Sequence, residues 1–393
     1  MEIKVTKLKE VMELVKPVVP KKPSLKCVAC LCLAGGKAVA TDLETMVIAN
    51  LPEATDPMLL PYSSIAEMLK YVPGSEALKI ELKGKMVFLS WNGGNASYPT
   101  EDFADFPILP ELTARAEGLI DGDILIAAML AALPYTAEDD TRPTLNGITV
   151  VLGNPIEVAA GDGFRMCHKA LGLSFPLEEK VIVPRRGVAI LDHVFAKTPR
   201  TPPSTAQSLI KVVTAKRQLR MSIIGDNKLR LDFGTSASVV INLTLGKPPE
   251  WLALIPKGEP MLQSQIFGPQ LEAAVKRVRI IAKEGSDAVR LEFADGKLKV
   301  SAKGGDQEIS STIDTVHTQG EATRIAINQK YVLGYLNGKQ GIITFSKYTE
   351  NGPAVFEDQQ SPRMIVMPMQ VAWGDEPAAA KVEPQAEAVD EVS

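Results

Sequence analysis

The sequence predicts an α+β protein made of three copies of one unit, and three observations predict it. A helix, strand, strand, helix, strand order recurs along the 393 residues at a period of roughly 125 residues. Within each copy the hydrophobic spacing switches from the helical period to the two-residue period of strands. A chain of this length also exceeds one ordinary core and suits two or three domains. Two helices and many strands per copy imply helices gathered on one side of the sheets.

The first copy opens with Thr6 as N-cap and with Leu8, Val11, Met12 and Val15 on one helical face. The strand pair SLKCVACLCLAGGKAVATDLETMVIANLP follows, with its turn at Gly35 and Gly36. The second copy has the helix DILIAAMLAAL and the strands of TLNGITVVLGNPIEVAAGDGFRMCHKAL. The third has the helix GPQLEAAVKRVRIIAKE and the strands of AVRLEFADGKLKVSAKGGDQEISSTI. A second, shorter helix opened by Pro or Asn is predicted in each copy, over residues 61–72, 184–197 and 328–337. Proline is tolerated in a first turn because its missing N–H has no intrahelical partner there. Pro-containing extended stretches, DFPILP around Phe106 and PPEWLALIP around Trp251, close the first two copies. The expected domains are therefore 1–117, 118–250 and 251–373, followed by a tail, 374–393.

That tail, GDEPAAAKVEPQAEAVDEVS, carries six acids and one base, a net of −5 against −4 for the whole chain, so the remainder is at +1. Its composition predicts disorder and solvation. The body, with 45% hydrophobic and 23% charged residues, reads as globular. Residues 124–133, the longest apolar run, are about half of a membrane span, and MEIKVTKLKEVME has no apolar core of a signal peptide, so a cytoplasmic protein is expected.

Chemistry is not signalled. Cys27, Cys30 and Cys32 lie in a segment that reads as a buried strand, with Cys30 and Cys32 on one face and Cys27 on the other. A zinc site would need its second half from Cys167 and His168, so core thiols are the reading. The histidines, His168, His193 and His317, make no H-E-x-x-H spacing, GDGFR lacks the G-x-G-x-x-G order, and Gly35-Gly36-Lys37 lacks the P-loop frame. Asp139 and Asp140 precede Thr141-Arg142 and read as a solvated loop with an arginine partner. The expectation is no catalytic residue, no metal and no cofactor.

Five segments carry a resemblance: TRPTLNGI at 141–148, AAGDGFRM at 159–166, PPEWLALIPKG, NQKYVLGYLNGK and the ending RMIVMPMQ. In this order on a threefold repeat they resemble the bacterial replicative sliding clamp, the beta subunit of DNA polymerase III, over nearly the whole chain except the tail. The resemblance implies a homodimer of three-domain subunits joined head to tail into a ring, with helices lining the hole and sheets outside. A head-to-tail contact pairs unlike surfaces. Here it implies Phe106 and Ile108 of one subunit against Ile280 and Ile281 of the other.

The helices carry faces suited to such a hole. Lys276, Arg279 and Lys283 fall at i, i+3, i+7 beside the apolar stripe of the third copy's first helix, and Lys9 and Lys16 lie opposite the stripe of the first, with Lys21 and Lys22 just beyond. Residues 124–133 have no base, so the central copy's contribution falls to Arg185, Arg186, Lys197 and Arg200. Loose phosphate contacts of this kind give salt-dependent, sequence-independent affinity for double-stranded DNA. The 5% aromatic content shows no single-strand platform.

The resemblance also implies a groove between the second and third domains for short peptides of polymerase, clamp loader and repair proteins. Carried residue by residue, it comprises Leu145, Gly163, Arg165, Met166, Pro249, Leu254, Tyr331, Pro353, Ile365, Val366, Met367, Pro368 and Met369. Flexible thioethers suit a surface that accepts several peptides. Gly161, Phe164, Met166, Ala253 and Gln370 depart from the family pattern; they keep the groove apolar but remove positive charge. A specialised copy of the clamp, from a mobile element or for antibiotic resistance, is the alternative that these departures and the acidic tail suggest.

Overall fold

The computed structural model describes residues 1–107, 113–198, 217–359 and 361–373, so Ile108, Arg200 and the acidic tail lie outside the described residues. The first repeat runs through β1 (Glu2–Lys4), α1 (Val5–Val15), β2 (Cys30–Ala34), β3 (Lys37–Thr41), β4 (Thr45–Asn50), β5 (Met58–Pro61), α2 (Tyr62–Leu69), β6 (Ala77–Lys83), β7 (Met86–Trp91) and β8 (Gly94–Pro99). The second runs through β9 (Ala114–Asp121), α3 (Gly122–Ala132), β10 (Gly147–Val151), β11 (Glu157–Gly161), β12 (Arg165–Ala170), β13 (Lys180–Pro184), α4 (Arg185–Lys197), β14 (Gln218–Ile224), β15 (Lys228–Phe233) and β16 (Ala237–Asn242). A short helix, α5 (Trp251–Leu254), follows where an extended stretch is expected. The third runs through β17 (Leu262–Phe267), α6 (Gly268–Glu284), β18 (Ala288–Ala294), β19 (Lys297–Gly304), β20 (Gln307–Asp314), an added β21 (His317–Gly320), β22 (Thr323–Asn328), α7 (Gln329–Leu336), β23 (Ile342–Lys347), β24 (Ala354–Glu357) and β25 (Arg363–Val366).

The repeated unit is thus richer than the sequence pattern suggests. A strand precedes each first helix, each expected strand pair is a meander of three, and three strands follow each second helix. In every repeat the two helices pack on each other, α1 on α2, α3 on α4 and α6 on α7.

Local chemistry sets the element ends. Gly35 and Gly36 both take positive φ, 55° and 74°, as the two central positions of a type I′ hairpin between β2 and β3 require. The N-cap of α1 is Lys4 and not Thr6, because β1 runs straight into the helix. Pro61 and Pro184 are likewise the N-caps of α2 and α4, which therefore begin one residue later than expected, while Asn328 caps α7 by accepting from the Lys330 N–H.

The chain forms two compact units, Met1–Pro256 with Glu357–Ile365, and Lys257–Phe356 with the segment from Val366 onward. In the first unit an eight-stranded sheet, β5-β2-β3-β4-β16-β15-β14-β9, joins the first two repeats through the antiparallel pairing of β4 with β16, Thr45 opposite Ile241 to Ala49 opposite Ala237. This shared sheet makes one body of the two repeats, and β9 runs across residue 117. The four-stranded sheet β1-β6-β7-β8 and the run β13-β10-β11-β12-β25 complete the strands of this unit. The second unit holds the sheet β20-β19-β18-β22 and the run β24-β23-β17-β21. Its core stacks Phe293 on Phe345 at 4.5 Å between ring centres, with Phe356 edge-on to Phe345 at 5.2 Å.

The cysteine segment differs from its expected form. Residues Lys26–Ala29 make a 3-10 turn before β2 begins, so strand alternation does not apply to Cys27. Cys27, Cys30 and Cys32 consequently share one buried cluster with Leu59 and Phe106, and Cys27 donates to the Asp105 carbonyl at 3.2 Å. Burial pushes the Cys30 thiol up to about 11 and the Cys32 thiol up to about 12, the values of inert core groups.

Candidate functional site

Two kinds of surface answer the sequence reading, basic helix faces and exposed apolar segments. In the first unit, α1, α2 and α4 wall an open cleft of about 1210 Å³ whose lining includes Lys7, Lys9, Lys16, Lys70 and Lys197, with Glu10, Glu13 and Glu67 among them. The wall is tied together. His193 of α4 meets the Glu13 carbonyl at 2.8 Å, Tyr62 at the start of α2 donates to the Met12 carbonyl at 3.0 Å, and the Lys9 amine donates to the Val72 carbonyl at 3.1 Å. Lys16 pairs with Glu13 and Lys70 with Glu67, while Lys197 is exposed. The structure thus brings Lys9, Lys16 and Lys197 to one cleft, and leaves Lys21 and Lys22 exposed on the loop after α1.

Arg185 and Arg186 have other work. Arg185 donates to Thr136 Oγ1 at 2.8 Å and to the Leu133 carbonyl at 3.4 Å, holding the turn after α3, and Arg186 pairs with the buried carboxylate of Asp42 at 2.5 Å. In the second unit Lys276 and Lys283 are exposed along α6 and Arg279 is half-buried between them; Lys276 pairs with Glu272 at 2.8 Å. On the same helix Ile280 is 67% exposed, while Ile281 is half-buried. Phe106 is 4% exposed and packed in the cysteine cluster of its own chain, which leaves its ring almost no surface to offer a second subunit.

The groove residues divide between the two units. In the first, the loop before β10 and the turn between β11 and β12 are laced together. Ala137 N–H donates to the Leu145 carbonyl at 2.9 Å, Arg142 to the Asp162 carbonyl at 3.1 Å, and Arg165 to the Pro134 carbonyl at 2.7 Å. The Arg165 guanidinium also pairs with Asp162 at 3.2 Å and lies 4.9 Å over the ring of Tyr135. Gly163, at φ 96°, turns this corner with its surface open, while Met166 just beyond is buried. Pro249 is half-buried, Leu145 likewise, and Leu254 is exposed beside the exposed Leu252 of α5. Ile365 is buried.

The departure at Gly161 has a local cause. A Cβ there would sit 2.8 Å from the Trp251 ring and 3.0 Å from the Arg165 carbonyl oxygen. Trp251 fills the space, its indole N–H donating to Thr149 Oγ1 at 3.0 Å. Sequence reading gave Trp251 no role beyond a boundary and missed Tyr135; an aromatic after a proline pair beside an otherwise unexplained glycine is the signal that was available.

In the second unit Tyr331 and Pro353 are half-buried and Val366 is fully buried at the end of β25. Met367, Pro368 and Met369 lie past the strand, not within it. Met367 is 51% exposed, and the Met369 N–H donates to the Ala326 carbonyl at 2.8 Å. Met369 is half-buried.

Asp139 accepts from Arg142 at 2.8 Å and from Thr141; hydrogen bonds from these two hold its carboxyl down at about 2, while Asp140 accepts from Asn146 at 2.7 Å. That is the solvated loop with an arginine partner the sequence suggests. His168 meets Glu157 at 2.6 Å under Trp251, and no group of metal-ligating side chains is assembled among the described residues. No helix among the described residues is long and apolar enough to cross a membrane.

Comparison with known proteins agrees with this architecture. Residues 253–370 match the family described as DNA polymerase III beta subunit, C-terminal domain. The chain is 26% identical over 349 residues to the beta sliding clamp of Escherichia coli K12, covering 84% of this chain and 87% of that protein. It is also 26% identical over 338 residues to the beta sliding clamp homolog GriR of Streptomyces muensis, covering 82% and 83%. Among solved structures, the DNA polymerase III subunit beta of Pseudomonas aeruginosa shares the fold at a TM-score of 0.81 with 22% identity, covering 94% of this chain and 100% of that one.

Proposed function

We propose, from the premise that this chain belongs to the bacterial sliding-clamp family of the DNA polymerase III beta subunit, that it encircles duplex DNA as a homodimeric ring and confers processivity on a replicative polymerase. The observation that carries the reading is the gathering of Lys9, Lys16 and Lys197 from two repeats at one cleft, together with the base-bearing outward face of α6 in the third. Cations spaced along helix faces and held to carbonyls or single carboxylates contact phosphates without reading bases, which permits sliding.

On this reading the protein works in the cytoplasm, carries no cofactor and catalyses nothing. The domains 1–117, 118–250 and 251–373 serve as three equivalent segments of each half-ring, and Ile280 and Ile281 contribute to its closure. Peptides of polymerase, loader and repair proteins dock on Leu145, Gly163, Arg165, Pro249, Leu254, Tyr331, Pro353 and the Met367-Pro368-Met369 run. Met166, Ile365 and Val366 belong to the same set and are buried.

Topology of binding is the test. Loaded on nicked circular DNA by a clamp loader, the protein should co-elute with the circle in gel filtration at salt that strips ordinary DNA-binding proteins, and should leave when one cut linearises the circle. Retention that survives the cut would contradict encirclement. A specialised copy is the second reading, favoured by the Gly161 and Trp251 pair and by the similarity to GriR. Capture of the genome's own replicative polymerase by the immobilised protein would remove it.

A further inference from the structure

We propose that Trp373 is a latch that pins the C-terminal segment to its sheet and thereby sets the position of Met367 and Met369; its consequence for partner binding rests on the groove reading above. The argument begins with strand register. In the antiparallel pair β18 and β22, Arg290 stands opposite Ala326 and Glu292 opposite Arg324. Arg290 and Arg324 are therefore diagonal neighbours on one face, because side chains two residues apart share a face.

β22 is the edge of its sheet, so one row of its backbone groups faces away from the ladder and needs partners. Two of its carbonyls have them. The buried Lys347 donates its amine to the Arg324 carbonyl at 2.7 Å, and the Met369 N–H donates to the Ala326 carbonyl at 2.8 Å. Beyond Met369 the chain continues along the arginine face. Arg290 donates to the Ala372 carbonyl at 2.9 Å, and the guanidinium groups of Arg324 and Arg290 lie 4.7 Å and 5.6 Å from the centre of the Trp373 ring.

The strap from Met369 to Trp373 is thus fastened at both ends, to an edge carbonyl and to a pair of cations. Met367 and Pro368 hang between this strap and the end of β25, and Pro368 has no N–H to donate. Flexible thioethers bind a partner more tightly when their backbone is already fixed, since less ordering is left for the binding step. An arginine-clamped indole supplies that fixation, and it stands immediately before the acidic stretch opened by Asp375 and Glu376.

Two measurements on the full-length ring test this. Hydrogen exchange at the Met369 amide reads the latch itself, and the affinity of the immobilised ring for the catalytic subunit of the same genome's replicative polymerase reads its consequence. Trp373→Ala should speed Met369 exchange by roughly tenfold or more and weaken polymerase binding about three- to tenfold. Ring mass and DNA retention should not change, and Trp373→Phe, which keeps an aromatic face, should restore most of both. Unchanged Met369 exchange in Trp373→Ala overturns the latch, whatever the methionines bind. Faster exchange with unchanged polymerase affinity, while Met367→Ala with Met369→Ala abolishes binding, overturns the role in partner binding and leaves the groove reading standing. Normal polymerase binding by the double methionine variant means that the groove reading itself has failed, and the latch's role in binding with it.

Discussion

Helices α3 and α6 occupy the same place in their repeats and begin in the same way, yet they turn different chemistry outward. Each follows a strand directly and opens on a buried glycine. A Cβ at Gly122 would meet the Leu219 side chain at 2.6 Å, and one at Gly268 would meet the Gly341 carbonyl oxygen at 3.0 Å. Each buries a continuous stripe, Leu125, Ile126, Ala128, Met129 and Ala132 in α3, and Leu271, Ala274, Val275, Val278 and Ala282 in α6. Outward, α3 shows Ile124, Ala127 and Ala131, whereas α6 shows Lys276, Arg277, Ile280 and Lys283. The repeat therefore fixes the packing face and leaves the outward face free to vary, so function has to be sought on the outward residues.

The largest separation of the two helices should come from assembly. With Ile280→Asp and Ile281→Asp on α6, the solution mass by light scattering should fall from a dimer to the single chain of 42.4 kDa, while Ile124→Asp on α3 leaves the dimer intact. Ile280 is already 67% exposed, so a charge there costs the isolated subunit little, and a folded monomer reports a broken interface. An unchanged dimer in the α6 variant would remove these isoleucines from ring closure.

Charge gives the next effect. Reversing Lys276, Arg279 and Lys283 to Glu should weaken retention on every duplex alike, and the slope of log affinity against log salt should flatten by up to about 2.7, about 0.9 for each phosphate no longer neutralised. The converse variant, Ile124→Lys with Ala127→Lys and Ala131→Lys, should steepen that slope if α3 faces the same duplex. A loss confined to particular DNA sequences would contradict the reading for α6, and no change from the added lysines would place the face of α3 away from the DNA.

These contrasts show what the sequence could carry. Period and composition set α6 at residues 268–284, to the residue, because its stripe, its initial proline and its closing glycine agree. The same rules set α3 within one residue. They missed the first strand of each repeat, which is short or directly joined to its helix and so shows no separate alternation. They missed the shared sheet too, since the pairing of β4 with β16 joins residues nearly two hundred positions apart and leaves no local mark. The basic residues of the site were legible as types. Which of them are spent on structure was not, and the Arg185 bond to Leu133 and the Arg186 pairing with Asp42 depend on chain segments brought together by folding. The methionine run was singled out by resemblance, and the contacts of Trp373 beyond it were not, because the arginines against its ring lie on strands far back in the chain.

The smallest effect concerns how the two helices end. Beyond α3 the turn is held by Arg185, which donates to the Leu133 carbonyl and to Thr136 Oγ1. Beyond α6 the junction is held by Asp287, whose carboxylate accepts from Lys330 at 2.7 Å and from the Gln329 amide at 3.0 Å, while its carbonyl accepts from the Gln329 N–H at 2.8 Å. The Lys330 hydrogen bond, then that of Gln329, holds the Asp287 carboxyl below the usual range. A carboxyl depressed by folding adds stability that is present above its unfolded pKa, about 3.9, and is lost as pH falls through the folded value. Asp287 also sits at φ 61°, a conformation that asparagine tolerates equally, so Asp287→Asn removes the charge and spares the backbone. Lys330 is largely exposed and solvent screens the pair, so at pH 7 the variant should melt lower by no more than about 3 °C. As pH falls through that depressed folded value the two melting temperatures should converge, whereas Arg185→Gln at the end of α3, whose partners are a carbonyl and a hydroxyl, should cost the same throughout. A gap between wild type and Asp287→Asn that persists undiminished in acid would mean that the aspartate acts through its shape and not through its charge.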